Sequence, residues 1–272
     1  MLIVQISDTH VTDGGRKAYS VAPVVENLAS CIQHINQLIP KPDLVFVTGD
    51  ITFSGRLEEA KCAAELLDTL HCPYFIIPGN HDSRDSLWSV FGGLSCPSSF
   101  QGFLSYVIEE YPIRLIGLDS TVPGEPGGEM CSTRLGWLDS RLREEVEKPT
   151  IIFMHHPPVK CGVLETDVDG FVGDKRFGDI VEKYGNIKTI LCGHIHLQTH
   201  VAWRGTVVAT APSLGLRLAL DLTQKHPSQF FLDEPGYLLH YWHPEGHLVS
   251  HSVSVRDAQG PFLFEEGNLL GE

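Results

Sequence analysis

Five short apolar runs punctuate the chain, each stopping on turn residues: LIVQIS from Leu2, LVFVTG from Leu44, YFIIPG from Tyr74, TIIFM from Thr150 and IKTILCG from Ile187. They are rich in Val, Ile, Leu and Phe and lack polar alternation, the pattern of strands covered on both faces. Between them the hydrophobic period lengthens. Val24, Leu28, Ile32, Ile35 and Ile39 recur at helical spacing after Pro23 and predict a helix over 24–39. The same spacing predicts helices over 56–70, from Leu57, Ala60, Ala64, Leu67 and Leu70, and over 133–147, from Leu135, Leu138, Leu142 and Val146. A further helix is expected at 174–184, and further strands near 104–108, 113–118 and 206–210. This β-α-β-α alternation predicts a layered α/β fold.

The last quarter reads differently. Residues 217–236 show no clear period and are expected to form a loop or short helix. Residues 237–255 flank Pro244-Glu245-Gly246 as a hairpin. Its histidines, His240, His243, His247 and His251, are expected to lie along exposed strand faces without a metal role. The expected organisation is a catalytic core over 1–216 and a C-terminal cap and hairpin over 217–272, packed on the same domain and available for contact between subunits.

Chemistry collects where the apolar runs end. Asp8 and His10, Asp50, Asn80, His155, and His194 with His196 each follow one run. In open α/β sheets, ligands bind beyond the carboxyl ends of the strands. Taken singly, each fragment reads as ordinary turn chemistry, but five in the same register point to one crevice. A catalytic ion uses about three protein ligands, so seven donors exceed the need of one ion and fit two that share a carboxylate. Asp50 is the natural bridge, with Asp8, His10 and His196 on one side and Asn80, His155 and His194 on the other. Imidazole and oxygen donors without thiolate suit Mn, Fe, Zn or Co. Gly49, Gly79 and Gly193 directly precede donors and are expected to permit sharp turns.

The runs Asp8-x-His10, Gly49-Asp50, Gly79-Asn80-His81-Asp82, His155-His156 and Gly193-His194-x-His196 resemble the five-block signature of the calcineurin-like binuclear metallophosphoesterases. Within that family QISDTH, GDITFSGR, IPGNHD, FMHHPP and CGHIH look like the bacterial glycerophosphodiesterases and class III cyclic-nucleotide phosphodiesterases. The resemblance implies a four-layer α/β/β/α sandwich, two divalent ions, and hydrolysis of small phosphodiesters by hydroxide held between them. His81, next to Asn80, is expected to stabilise transition-state charge and to protonate the leaving alkoxide. Asp82 is expected to orient His81 or cap the next helix, and His156 to support rather than ligate. Arg56 and Arg217 are candidate substrate contacts, with surface ion pairs as the competing role. Loops 121–131 and 212–236 are expected to touch the organic groups of the substrate.

Two other functions compete. One is phosphomonoester hydrolysis on phosphoprotein or nucleotide; its protein-phosphatase version is disfavoured because Asp50 is followed by Ile-Thr-Phe-Ser-Gly-Arg rather than Asp-Arg-Gly, and the third block ends in Asp82 rather than Glu. A non-catalytic scaffold is disfavoured by the intact donor set and His81. Composition narrows the setting. No apolar stretch approaches the roughly 20 residues of a membrane span, and MLIVQIS has no basic leader character. Seven cysteines without a CxxC pair suit reduced thiols in a cytoplasm. A net charge of −14 argues against non-specific nucleic-acid binding but not against a small phosphodiester drawn to divalent ions. A homo-oligomer is expected from the resemblance.

Overall fold

The computed structural model describes residues 1–223, 225 and 227–255, so the expected cap beyond 255 lies outside the described residues. In chain order the first elements are β1 (Leu2–Ile6), α1 (Val24–Asn36), β2 (Leu44–Thr48), α2 (Leu57–Leu67), β3 (Tyr74–Ile77) and α3 (Arg84–Phe91). The second group is β4 (Tyr106–Ile108), β5 (Arg114–Leu118), β6 (Gly128–Glu129), α4 (Ser132–Glu144), β7 (Thr150–Met154) and α5 (Leu164–Asp167). Next come β8 (Phe171–Val172), α6 (Asp174–Lys183), β9 (Ile187–Cys192), β10 (Thr199–Trp203) and β11 (Thr206–Thr210). The chain continues through β12 (Leu216–Leu218), β13 (Phe230–Leu232), β14 (Gly236–Trp242) and β15 (Leu248–Ser254).

The strands form two principal sheets, ordered β15-β14-β1-β2-β3 and β10-β11-β9-β7-β5-β4. Their centres are parallel and their outer pairs antiparallel. Strands β2 and β7 are buried along their whole length because each has helices behind it and the other sheet in front. Phe46 of β2 stacks on Phe153 of β7, with ring centroids 4.2 Å apart and planes 18° from parallel. Helix α2 packs beside α1 and α3, and α4 beside α6, which completes the α/β/β/α sandwich.

One polar residue is embedded in this apolar contact. Gln5 of β1 is fully buried, and its Nε2 donates to Thr48 Oγ1 at 3.0 Å and to the Cys192 carbonyl at 2.9 Å. It therefore ties β1 and β2 of one sheet to β9 of the other, directly behind the strand ends. A buried amide is retained at low cost only when its hydrogen bonds are made, as they are here.

Several expectations change. The four helices predicted from periodicity form, each shortened at its C-terminal end; α3, expected only as the helix that Asp82 would cap, and α5 carry no such period. Helix α3 buries only Leu87 and Phe91, too short an apolar stripe to show a period. Its start is set by Ser83, whose hydroxyl accepts from the Ser86 amide. The segment 217–236 contains paired strands β12 and β13 rather than a helix. The hairpin is no appendage: β14 pairs with β1, Val4 opposite Leu239, and the expected boundary after 216 falls inside β12. His240 consequently faces inward, with Nε2 at 3.1 Å from Gln5 Oε1 and Nδ1 at 2.7 Å from Ser250 Oγ. Among the described residues no helix is long and apolar enough to cross a membrane, and all seven cysteines are free.

Phe153→Ala removes one half of the inter-sheet stack and is expected to lower unfolding free energy by about 3–5 kcal/mol. Urea denaturation measures this. A loss below about 1 kcal/mol would mean that the sheets are held together elsewhere.

Candidate metal centre

Strands β1, β2, β3, β7 and β9 end on the same edge, and the chain turns sharply just past them. Nine non-glycine residues among those described have positive φ, and five are predicted metal ligands: Asp8 (53°), His10 (45°), Asp50 (49°), His194 (75°) and His196 (55°). Such conformations cost about 1–3 kcal/mol each and persist only where the surroundings enforce them. The enforcement is visible. The amide of His10 donates to the Asp50 carbonyl at 2.9 Å, the His81 amide to Asp50 Oδ1 at 2.9 Å, and the His194 amide to the Asp8 carboxylate at 3.1 Å.

Asp82 serves the same end. It accepts from the amides of Ile51 (3.1 Å), Thr52 (2.8 Å) and Gly79 (2.9 Å) and from the Thr52 hydroxyl (2.6 Å). It thus clamps the turn after β2 to the turn after β3; it neither orients the His81 ring nor caps α3, whose cap is Ser83. The glycines also need a finer reading. Gly49 is left-handed at φ 87°, but Gly79 and Gly193 are not. A Cβ on Gly79 would lie 2.2 Å from the Asp50 amide nitrogen, and one on Gly193 2.0 Å from Ser7 Oγ. Close approach, not turn geometry, selects glycine there.

The seven predicted donors come together in two groups. Ligand atoms of Asp8, His10, Asp50 and His196 all lie within 4.8 Å of one another. On the other side, Asn80 Oδ1 lies 3.1 Å from both His155 Nε2 and His194 Nδ1. Asp50 stands between, with Oδ2 at 3.8 Å from His10 Nε2 and Oδ1 at 3.4 Å from His155 Nε2. His156 is close enough to join the second group, but its ring nitrogens are engaged by Ser120 Oγ at 2.8 Å and the Pro126 carbonyl at 3.1 Å.

Hydrogen bonds fix which ring nitrogens are free. His155 Nδ1 donates to the Thr48 carbonyl and His196 Nδ1 to the Leu216 carbonyl, each at 2.8 Å. Such outer partners set the tautomer and leave Nε2 as the available lone pair. In both rings that lone pair points at acceptor oxygens: those of Asn80 and Asp50 for His155, and Asp8 Oδ1 at 3.4 Å for His196, which also lies 3.1 Å from His10 Nε2. Buried acceptors facing acceptors repel unless positive charge lies between them. Without metal, protons must supply it. Burial would lower the His155 pKa, but the Asp50 and Asp8 carboxylates outweigh it and raise it to about 9. Burial likewise opposes ionised Asp50, yet His155 and His10 hold its carboxyl well below the usual range. His10 and His194, lowered to about 3 chiefly by burial, remain neutral imidazoles at physiological pH. This donor set fits divalent ions.

Beside it opens a cavity of about 550 Å³ onto which Asp50, Asn80, His81, His194 and His196 face. The His81 ring is fixed by Nδ1 bonding to the Phe53 carbonyl at 2.9 Å, leaving Nε2 unused. Pro126, Leu216 and Phe230 line the cavity from the two expected loops. Tyr19 and Asp169 also line it, and neither stands out in the sequence. Arg56 and Arg217 do not line it. Arg56 pairs with Asp13 and Glu59, both at 2.9 Å, and Arg217 with Asp233 at 2.5 Å.

Residues 1–198 match the calcineurin-like phosphoesterase family. The chain is 39% identical over 273 residues to the "Probable glycerophosphodiester phosphodiesterase GpdQ" of Arcobacter nitrofigilis, covering 99% of this chain and 100% of that one. It is 32% identical to the glycerophosphodiester phosphodiesterase GpdQ of Enterobacter lignolyticus, covering 98% and 95%. It is 27% identical to the 3',5'-cyclic adenosine monophosphate phosphodiesterase CpdA of Escherichia coli, covering 94% and 90%. Among solved structures, a dimetal phosphatase from Danio rerio superposes with a TM-score of 0.70 at 16% identity, covering 94% and 97%, which shows a shared fold.

The raised pKa of His155 gives a pH signature. Its proton is held below about 9 in the ion-free protein, so metal loading at pH 7.5 must expel it. Apparent affinity is expected to rise with pH up to about 9 and then level off. Titration calorimetry with Mn²⁺ in buffers of different ionisation enthalpy reads the proton release. A buffer-independent heat would contradict the assignment.

Proposed function

The chain belongs to the calcineurin-like phosphoesterase family, and on that premise we propose that it hydrolyses small phosphodiesters, either glycerophosphodiesters or cyclic nucleotides. Asp8, His10 and His196 would hold one divalent ion, Asn80, His155 and His194 the other, with Asp50 shared between them. The observation that carries this reading is the set of buried lone pairs of His155 and His196 aimed at acceptor oxygens on either side of Asp50. The relatives named for glycerophosphodiester and cyclic-nucleotide hydrolysis support the substrate class. Two such ions supply a water-derived nucleophile at neutral pH and neutralise charge on the phosphoryl oxygens.

The chain's own contribution lies in positioning and proton transfer. His81 is held at two points, its amide on Asp50 and its Nδ1 on Phe53. When protonated, its Nε2 donates to the oxygen on which charge develops and delivers a proton to the leaving alkoxide. Among the described residues no Lys or Arg lines the cavity, so a dianionic monoester gains no clamp from them, whereas a diester monoanion needs none. On the same footing we assign the ions to Mn, Fe, Zn or Co, and the protein to the cytoplasm as a homo-oligomer that does not bind nucleic acid.

Three results are expected. Asp50→Ala loses both ions and nearly all turnover; two ions retained per chain, by elemental analysis, would refute the bridge. His81→Ala keeps both ions while kcat falls by roughly 10²–10³; wild-type turnover would remove His81 from the catalytic group. With Mn²⁺ present, bis(p-nitrophenyl) phosphate is cleaved with higher kcat/KM than p-nitrophenyl phosphate, and the reverse order would overturn the diesterase reading.

A further inference from the structure

Beyond the donors, two unlike groups line the cavity. One is aromatic: Tyr19, itself left-handed at φ 49°, meets Phe53 edge-on with ring centroids 5.0 Å apart and Phe230 at a tilt of 43° with centroids 5.3 Å apart. The other is a single carboxylate, Asp169, on the segment between α5 and β8. That segment is pinned to the loop beneath it. The Gly128 amide donates to the Gly170 carbonyl at 3.1 Å, and a Cβ on Gly127 would meet the Asp169 carbonyl oxygen at 2.2 Å. Asp169 is therefore presented from a fixed backbone. Its carboxylate has no hydrogen bond or ion pair among the described residues, unlike Asp119, which Arg84 holds at 2.6 Å.

We propose that Asp169, which lines the cavity together with Tyr19 and Phe230, recognises the organic group of the diester and selects one bearing an ammonium charge. The inference rests on the phosphodiesterase reading and specifies its substrate class. A cation in this space has a carboxylate and aromatic rings among the groups that line it, and both attract positive charge. An anionic group meets Asp169 with no Lys or Arg among the described lining residues to offset it. The carboxyl is also partly desolvated: burial raises its pKa, and no neighbouring cation lowers it. A bound ammonium group supplies that missing partner. Because Asp169 is largely exposed, the selectivity it confers is moderate and falls with salt.

The test uses two esters with one leaving group, p-nitrophenyl phosphocholine and its neutral carbon isostere, p-nitrophenyl 3,3-dimethylbutyl phosphate. For the Mn²⁺-loaded wild type, kcat/KM is expected to favour the choline ester by roughly threefold to tenfold at low salt. In Asp169→Asn the ratio is expected to fall to about one. Equal rates in the wild type, or a preference that survives in Asp169→Asn, would overturn the proposal. Cleavage of bis(p-nitrophenyl) phosphate in the same experiment separates the two readings. If it is cleaved without choline selectivity, the role of Asp169 fails alone; if it is not cleaved, the phosphodiesterase reading fails and takes this inference with it.

Discussion

Asp50 must face two groups of imidazoles at once, and the surrounding structure is arranged to hold it in that position. Its backbone is left-handed, its carboxylate accepts from the His81 amide, and its carbonyl accepts from the His10 amide. Gly79 lies so close that any side chain there would displace it. Asp82 fixes the residues on either side of this contact. The negative charge that results is buried, and the free nitrogens of His155 and His196 face carboxylate oxygens, so the site is balanced by cations, either protons or metal ions.

That arrangement depends on two sheets being held in register. Three of the donor-bearing strands belong to one sheet and two to the other. Phe46 and Phe153 supply the apolar contact between them, and Gln5 supplies a directional one, reaching both Thr48 and Cys192. His240 on β14 receives the other end of the Gln5 amide. The C-terminal hairpin thereby supports the residue that aligns the two sheets, although it lies outside the five motif blocks.

How much of this was legible in the sequence follows from the range of each interaction. Strands buried on both faces write themselves as unbroken apolar runs, and the donors follow at their ends, so the sheet centres and the cluster of candidate donors could be located from local pattern. The long amphipathic helices were equally plain. Features fixed by distant partners were not. Asp82 looks like a partner for its neighbour His81 but bonds to Ile51, Thr52 and Gly79. His240 sits in an apparently alternating hairpin, and only its pairing with β1 turns it inward. Arg56 and Arg217 carry the right charge for phosphate, yet nearby acidic residues engage both. Asp169 carries no local signal, since its relevance comes from the wall it joins.

The substrate cavity accordingly combines two kinds of information. Its floor, from the strand ends, follows the family pattern; Tyr19, Asp169 and Phe230, which also line the cavity, come from two connecting segments and from β13. The claim on which both depend is that two ions share Asp50. Electron paramagnetic resonance of chelated protein reloaded with Mn²⁺ tests it most directly. At two ions per chain the account predicts an exchange-coupled Mn pair. Two magnetically isolated ions, or saturation at a single ion, would contradict it.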